Sequence, residues 1–288
     1  MLRCSYVVLI HNNENNILKL IASLRKIDGN FRKEFIFIDD GSNDNSLDIL
    51  KKSVNDIPRT TIITQETQGP TISINKAISL VTGEYVQFVE GSEILHPDST
   101  AVLMESCLKL GTDVSIGLVS NKELLNNKLK NESIIINNPI EEILNGKISA
   151  LRHIGKSGSM VHAQLLEKID KADSSIYTQN MSLSLRCAKY SKFAYINDFV
   201  ATKNIAAIDY DRKFDSYNNL KSIYNFSKEN PEIFSRQISA LLKVLSSENL
   251  KTPDKIRYFI QSLLSKYVKS YSLKSILALY KHELEQLF

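Results

Sequence analysis

The first hundred residues switch repeatedly between two hydrophobic periods, and this constrains the fold more than any other feature of the 288-residue chain. Ser5-Tyr-Val-Val-Leu-Ile10 is a short apolar run of the kind that forms a strand buried on both faces. Glu14 to Lys26 then changes to helical spacing, with Ile17, Leu20, Ile21 and Leu24 on one face. The alternation continues through a strand over 34–39, a helix over 46–54, a strand over 60–64, a helix over 71–81 and a strand over 84–89. Strands joined by single helices require crossover connections, so the expected fold is α/β: a mostly parallel sheet covered by helices on both faces. Ligands of such sheets bind beyond the carboxyl ends of the strands. That rule brings His11–Glu14, Asp39–Ser42, Glu66–Gly69 and Glu90–Glu93, the polar clusters of this half, to one cleft.

Charge and cysteine content narrow the class. The net charge of +4 is too small for a chain-wide nucleic-acid binder, and no nucleic-acid partner is expected. The charge is uneven, however: residues 212–288 hold 13 Lys and Arg against 7 Asp and Glu, a net of +6. Cys4, Cys107 and Cys187 are isolated and odd in number, which argues against a disulfide framework and for a reducing compartment. The apolar run at the N-terminus is too short for a signal peptide, and no stretch approaches a membrane span. The expected location is therefore cytoplasmic, with peripheral contact at the inner face of the membrane left open.

The motifs carry more than the pattern does. In Phe35-Ile-Phe-Ile-Asp-Asp-Gly-Ser42, two acids end a strand and a Gly-Ser turn exposes a carboxylate to the cleft, where it could accept from a nucleobase or a ribose hydroxyl. A strand-ending turn alone would account for this tetrapeptide. Further on, Gln68-Gly-Pro-Thr-Ile-Ser-Ile-Asn75 is followed by Gly83-Glu-Tyr-Val-Gln-Phe-Val89, then by Glu90-Gly-Ser-Glu93 and Pro97. Taken in order, these segments resemble the family 2 inverting glycosyltransferases, whose pattern runs DDGS(x)D(x)S, then ARN, then GEYI(x)FLDSDD and a proline. The resemblance extends over residues 4–205 and is strongest over 4–99. It implies a GT-A fold and a nucleoside-diphosphate sugar donor, most often UDP-linked. By position, His11, Glu14 and Asp39 would line the base and ribose. Gly69 would allow close backbone approach, Asn75 would belong to the nucleotide-sugar site, and Asp40 would orient the turn.

The same alignment exposes three departures. Where the family holds Mg²⁺ or Mn²⁺ between two aspartates, this chain has Glu90, Gly91 and Ser92, with Glu93 next. Glu90 and Glu93 could still hold a cation, with Ser92 a weak neutral ligand, or the metal site is weakened or lost. Where the family has the Glu-Asp pair that supplies the general base, this chain has Gln179 and Asn180, with Arg186 at the preserved spacing. An amide takes no proton at neutral pH, so Asn180 could only orient the acceptor, and Asp173 or Asp198 would be alternative acids. Finally, the family's ARN arginine is Ile74. The functional expectation is transfer of a sugar to a hydroxyl of a saccharide or lipid-linked acceptor in surface polysaccharide or lipopolysaccharide synthesis. The alternative is a catalytically degenerate binding or scaffold protein.

Outside the motifs, His162 is a weak acceptor-side candidate, and Gly155-Lys-Ser-Gly-Ser159 reads as an acceptor-side loop rather than a nucleotide-hydrolase phosphate loop. The domain reading places a GT-A domain at 1–208, with a nucleotide-binding half over 1–98 and an acceptor half over 99–208. A helical extension follows over 209–288. In its strongest segment Thr252 and Pro253 open a helix whose stripe includes Ile256, Phe259, Ile260, Leu263 and Leu264. That stripe fits docking on the catalytic domain or on a second copy of the chain; the alternative is an interfacial membrane helix.

Overall fold

The computed structural model describes residues 1–121, 128–145, 148–203, 212–231 and 233. Four parallel strands form its first half: β1 (Arg3–Ile10), β2 (Arg32–Asp40), β3 (Thr60–Gln65) and β4 (Tyr85–Glu90). Helices α1 (Ile17–Lys26), α2 (Ser46–Ser53) and α3 (Pro70–Ile78) connect them. The spatial order is β3-β2-β1-β4, with β1 in register against both β2 and β4. The chain builds outward from β1 to β3 and then returns to the other side of β1. The carboxyl ends of β1 and β4 therefore flank the point where strand order reverses, which is where open α/β sheets bind ligands.

Strand alternation explains how both faces are buried. Val7, Ile36, Ile38, Val86 and Phe88 project into one core with Ile74 and Ala77 of α3. Tyr6, Val8, Ile10, Phe35 and Phe37 project into the other with Leu20, Ile21 and Leu24 of α1. Successive side chains of a strand point to opposite faces, so a continuous apolar run fills two cores at once.

The second half departs from the sequence expectation in one instructive way. Residues 160–169, whose spacing in the sequence reads as one helix, begin as strand β8 (Ser159–His162) and only then become α6 (Ala163–Lys168). Met160 and Val161 lie between β4 and β6 (Val114–Ser120), antiparallel to both. Sheet pairing from two sides outweighs the local helical spacing at these residues. Little was legible over 94–150 beyond the helix now seen as α4 (Ser99–Leu110). That segment also contains β5 (Glu93–Leu95), β6, β7 (Ser133–Ile136), α5 (Pro139–Asn145) and a 3-10 turn at Ser149–Arg152.

Two further elements complete the described chain. Helix α7 (Asn180–Ala188) is followed by β9 (Phe193–Lys203), a strand that runs well beyond Phe193–Ile196, the stretch whose sequence reads as one. It pairs with β5, β6 and β7 and returns to the cleft at Lys203. Helix α8 (Arg212–Glu229) packs on α7, with Ile223 and Phe226 buried, and Arg186 pairs with Glu229 at 3.2 Å. The expected boundary at 208 and the Thr252–Tyr271 stripe lie outside the described residues. Among the described residues no helix is long and apolar enough to cross a membrane.

Candidate active site

Hydrogen bonds between loops build the rim at the strand ends. After β1, the N–H groups of Asn12, Asn13 and Glu14 donate to Ser42 Oγ (3.0 Å), Ser46 Oγ (2.7 Å) and Asp44 Oδ2 (3.1 Å) after β2. In return Glu14 Oε2 accepts both the main-chain and the side-chain N–H of Asn45 at 3.0 Å. Glu14 was expected to line the base and ribose; its carboxylate is instead part of this clasp. His11 remains exposed above it, with Nδ1–H donating to the Asp40 carbonyl at 2.8 Å.

The two acids of the Asp-Asp-Gly-Ser turn point to opposite faces and do different things. Asp40 is buried, and its carboxylate accepts from Gln65 Nε2 (2.8 Å), Gln68 N (2.9 Å) and Gly69 N (2.8 Å), fastening the loop before α3. Asp39 is also buried, yet among the described residues its Oδ1 has no hydrogen-bond partner, and its Oδ2 accepts a 3.4 Å contact from Ser42 N. Gly69 has φ +92°, and a Cβ there would lie 2.5 Å from Tyr177 Cε2. The close approach this glycine permits is thus filled by an aromatic ring from the second half of the chain. Asn75, expected at the nucleotide-sugar site, is committed elsewhere: it donates to and accepts from the main chain of Ala172 at 2.8 and 2.9 Å. Both ends of its amide are used in tying α3 to the loop before α7. Ile74 is 0% exposed and belongs to the core, so no cation stands in for the absent arginine there.

A cavity of about 380 Å³ opens beneath this rim, lined by His11, Asp40, Glu90, Ser92, Tyr177 and Lys203 among others. A second, of about 230 Å³, lies between β6, β9 and the 3-10 turn, and Glu93, His153, Lys156 and Lys203 line it. Lys203 borders both. Its Nζ is 2.9 Å from Glu90 Oε2, while Lys156 Nζ is 3.7 Å from Glu90 Oε1. Burial alone would raise the Glu90 carboxyl, but Lys156 and then Lys203 outweigh it and hold it down at about 2. Glu93 moves the other way: burial first, and then the negative charge of Glu90, push its carboxyl up to about 7. Glu93 is 1% exposed, accepts from the hydroxyl and the N–H of Ser157, and takes the Glu90 N–H at 3.3 Å. Gly91, between the two acids, leaves room for Asn13, whose Oδ1 would stand 2.2 Å from an added Cβ.

These residues do not suit the divalent cation that the family pattern implies. Both oxygens of Glu90 face ammonium groups, Glu93 is turned into the Ser157 loop, and Ser92 is a buried neutral hydroxyl. A hard cation needs several oxygens with uncompensated charge. Among the described residues no group of three or more His, Cys, Asp or Glu side chains converges on one point.

The remaining candidates fall outside the cavities. Gln179 and Asn180 sit at the start of α7, 2% and 9% exposed; Gln179 Nε2 donates to the Gly155 carbonyl at 3.1 Å. Each retains a buried side-chain oxygen without a partner among the described residues, and neither lines either cavity. Asp173 is held by Asn225 and Ser175, and Asp198 by Lys130 N and its own neighbour, so neither alternative acid reaches the cleft. His162 lies at the opposite end of the sheet. It pairs with Tyr85 at the beginning of β4 because β8 runs antiparallel, and its Nδ1 accepts from Gln164 N at the start of α6. Sequence reasoning missed Tyr177 and Lys203. The one signal for Lys203 was a cation closing the short apolar run Phe199-Val-Ala201.

Comparison with known proteins gives this cleft its context. Residues 5–169 match the model of glycosyl transferase family 2. The chain is 30% identical over 116 residues to the uncharacterized glycosyltransferase YibD of Escherichia coli K12, a match covering 36% of this chain and 34% of YibD. It covers about a third or less of the length of this and the next two curated relatives. Among solved structures, S. aureus TarS 1–349 in complex with UDP has a TM-score of 0.61 at 17% identity, over 99% of this chain and 89% of that one. The Pyrobaculum calidifontis mannosyltransferase PcManGT, in complex with GDP-Man and Mn²⁺, has a TM-score of 0.62 at 12% identity, over 98% and 87%. At such identities the structural likeness establishes the architecture, a GT-A fold. The family match covers more than half of the sequence and falls on the strands and turns that build the cleft: the chain belongs to glycosyl transferase family 2.

Proposed function

We propose that this protein transfers a sugar from a nucleoside diphosphate, UDP in the first instance, to a hydroxyl of a saccharide or lipid-linked acceptor with inversion, in the assembly of a surface polysaccharide or lipopolysaccharide. One observation carries the reading: the ends of β1, β2 and β4 converge on a single cavity at the strand-order switch, next to a second cavity that shares one wall with it. Two substrates meeting at a common wall is the arrangement a transferase requires. Asp39, which lines neither cavity, keeps a buried Oδ1 without a partner among the described residues, and its assignment to the nucleoside rests on its place at the end of β2 in the family pattern.

The positions where the family has its base are amides here, and Asp173 and Asp198 are engaged elsewhere. Glu93, the carboxylate lining the second cavity, is the best placed side chain to take the acceptor proton. The residues present do not suit a divalent cation, so no step is assigned to one. Release of UDP from a panel of UDP-sugars, with and without candidate acceptors, tests the reading; no release and no binding of any nucleoside-diphosphate sugar would refute it.

The amides at Gln179 and Asn180 favour one rival, a family member that binds without turning over. Glu93→Gln separates the two. In a working cleft, loss of the base costs about 10²- to 10⁴-fold in rate, so turnover should fall while UDP binding is kept. An unchanged, zero rate with intact UDP binding would favour the rival.

A further inference from the structure

We propose that Lys203, held in place by Glu90, takes the role of a divalent cation against the donor's diphosphate, so that nucleoside-diphosphate binding needs no metal. This rests on the donor-site reading above.

Glu90 stands between two ammonium groups, at 2.9 Å from Lys203 and 3.7 Å from Lys156, so its charge is not spent on Lys203 alone. Lys203 lines the cavity that runs from His11 to Glu90, while Lys156 lines the neighbouring one with Glu93. A diphosphate leaving group needs compensating charge where electrons accumulate, and fixed donors in a partly desolvated site supply it most effectively. The obvious alternatives are missing from this cleft. Position 74 is a buried isoleucine, and position 92 is a neutral serine.

Lys203 has the required position. It ends β9 beside the carboxyl end of β4, its side chain is only 16% exposed, and it is common to both cavities. Glu90 then acts as a positioning residue. It fixes the long side chain of Lys203 before the donor arrives, which lowers the entropy cost of ordering it on binding. In the transfer step the bond between the anomeric carbon and the β-phosphate oxygen breaks, and its electron pair stays on that oxygen. The acceptor oxygen forms the new bond to the anomeric carbon, and its proton passes to Glu93. Lys203 stabilises the departing diphosphate by charge and a donated hydrogen bond.

The test is calorimetric titration of the full chain with UDP and with uridine, in EDTA and in Mn²⁺. The wild type should bind UDP with equal affinity in both, within about threefold, and much more tightly than uridine. Lys203→Ala should weaken UDP at least tenfold in EDTA while leaving uridine unchanged. Lys203→Gln keeps the test decisive if the alanine variant misfolds: it keeps much of the side chain's length without its charge, and should likewise weaken UDP about tenfold or more in EDTA with uridine unchanged. UDP binding that requires Mn²⁺, or is untouched by Lys203→Ala, overturns the inference. So does UDP binding no tighter than uridine, which leaves the nucleoside site itself standing. Failure of the wild type to bind either compound refutes the donor site and this inference together.

Discussion

Replacing Asp40 with alanine removes the acceptor for three donors at once: Gln65 Nε2, Gln68 N and Gly69 N, all within 2.9 Å. Their fates differ. Gln65 Nε2 keeps its bond to Ser73 Oγ at 3.0 Å, and the exposed Gln68 N–H can turn to water. The Gly69 N–H is buried and has nowhere to go. A hydrogen bond to a charged group contributes about 1.5–3 kcal/mol, and an orphaned buried donor costs about 1–3 kcal/mol. Since the three bonds share one carboxylate, they do not add in full, and the expected loss is about 3 kcal/mol. For a domain of this size that is a fall in melting temperature of roughly 6–12 °C. Asp40→Asn should recover part of the loss, because one oxygen remains to accept. The Asp40 main-chain carbonyl, which receives the His11 Nδ1–H, is unaffected by either change. Urea unfolding of the three proteins at neutral pH checks the figure. A loss below about 1 kcal/mol for Asp40→Ala would mean that the loop before α3 is held by something other than this carboxylate.

Three further outcomes are expected. Gly69→Ala places a Cβ 2.5 Å from the Tyr177 ring at a φ of +92°, and should cost about 2–4 kcal/mol in urea unfolding; adding Tyr177→Ser should return the steric part but not the backbone strain. Glu93→Gln should change the pH dependence of stability. With its carboxyl raised from 4.5 to about 7, the folded state binds more protons than the unfolded state across that window, so wild-type stability falls as pH rises through it. The glutamine variant should lack this slope and gain on the order of 2–3 kcal/mol relative to wild type between pH 5 and pH 8; parallel curves would refute the assignment. Asn75→Ala frees both polar groups of Ala172 and should cost about 1–3 kcal/mol without altering the affinity for UDP; a selective loss of affinity at unchanged stability would return Asn75 to the donor site.

The periodicity made the first half of the sheet legible because each strand there is flanked by a helix of opposite period. Ile17, Leu20, Ile21 and Leu24 declared one core, and Asp39 and Asp40 declared where a strand stops. The second half was less readable for a physical reason. Its strands are antiparallel insertions, and Met160-Val161 fits a helix as well as a strand until β4 and β6 pair with it from either side. Side-chain allegiance was hidden in the same way. Nothing local to Asn75 or Glu14 says that its hydrogen-bonding capacity is spent on Ala172 or Asn45.

By itself, the sequence determined the α/β architecture, the strand ends that form the cleft, and the replacement of acids by Ser92, Gln179 and Asn180. Those are properties of short windows, set by period and by residue type. Only the tertiary structure decided what stands at the centre of the cleft. Lys203 reaches Glu90 across 113 positions of sequence, and Lys156 reaches it across 66, because parallel and antiparallel strands bring their ends to one edge of the sheet. A charge has no sequence period. Its partner is fixed by the folding of the whole sheet, and so is the chemistry that the pair can perform.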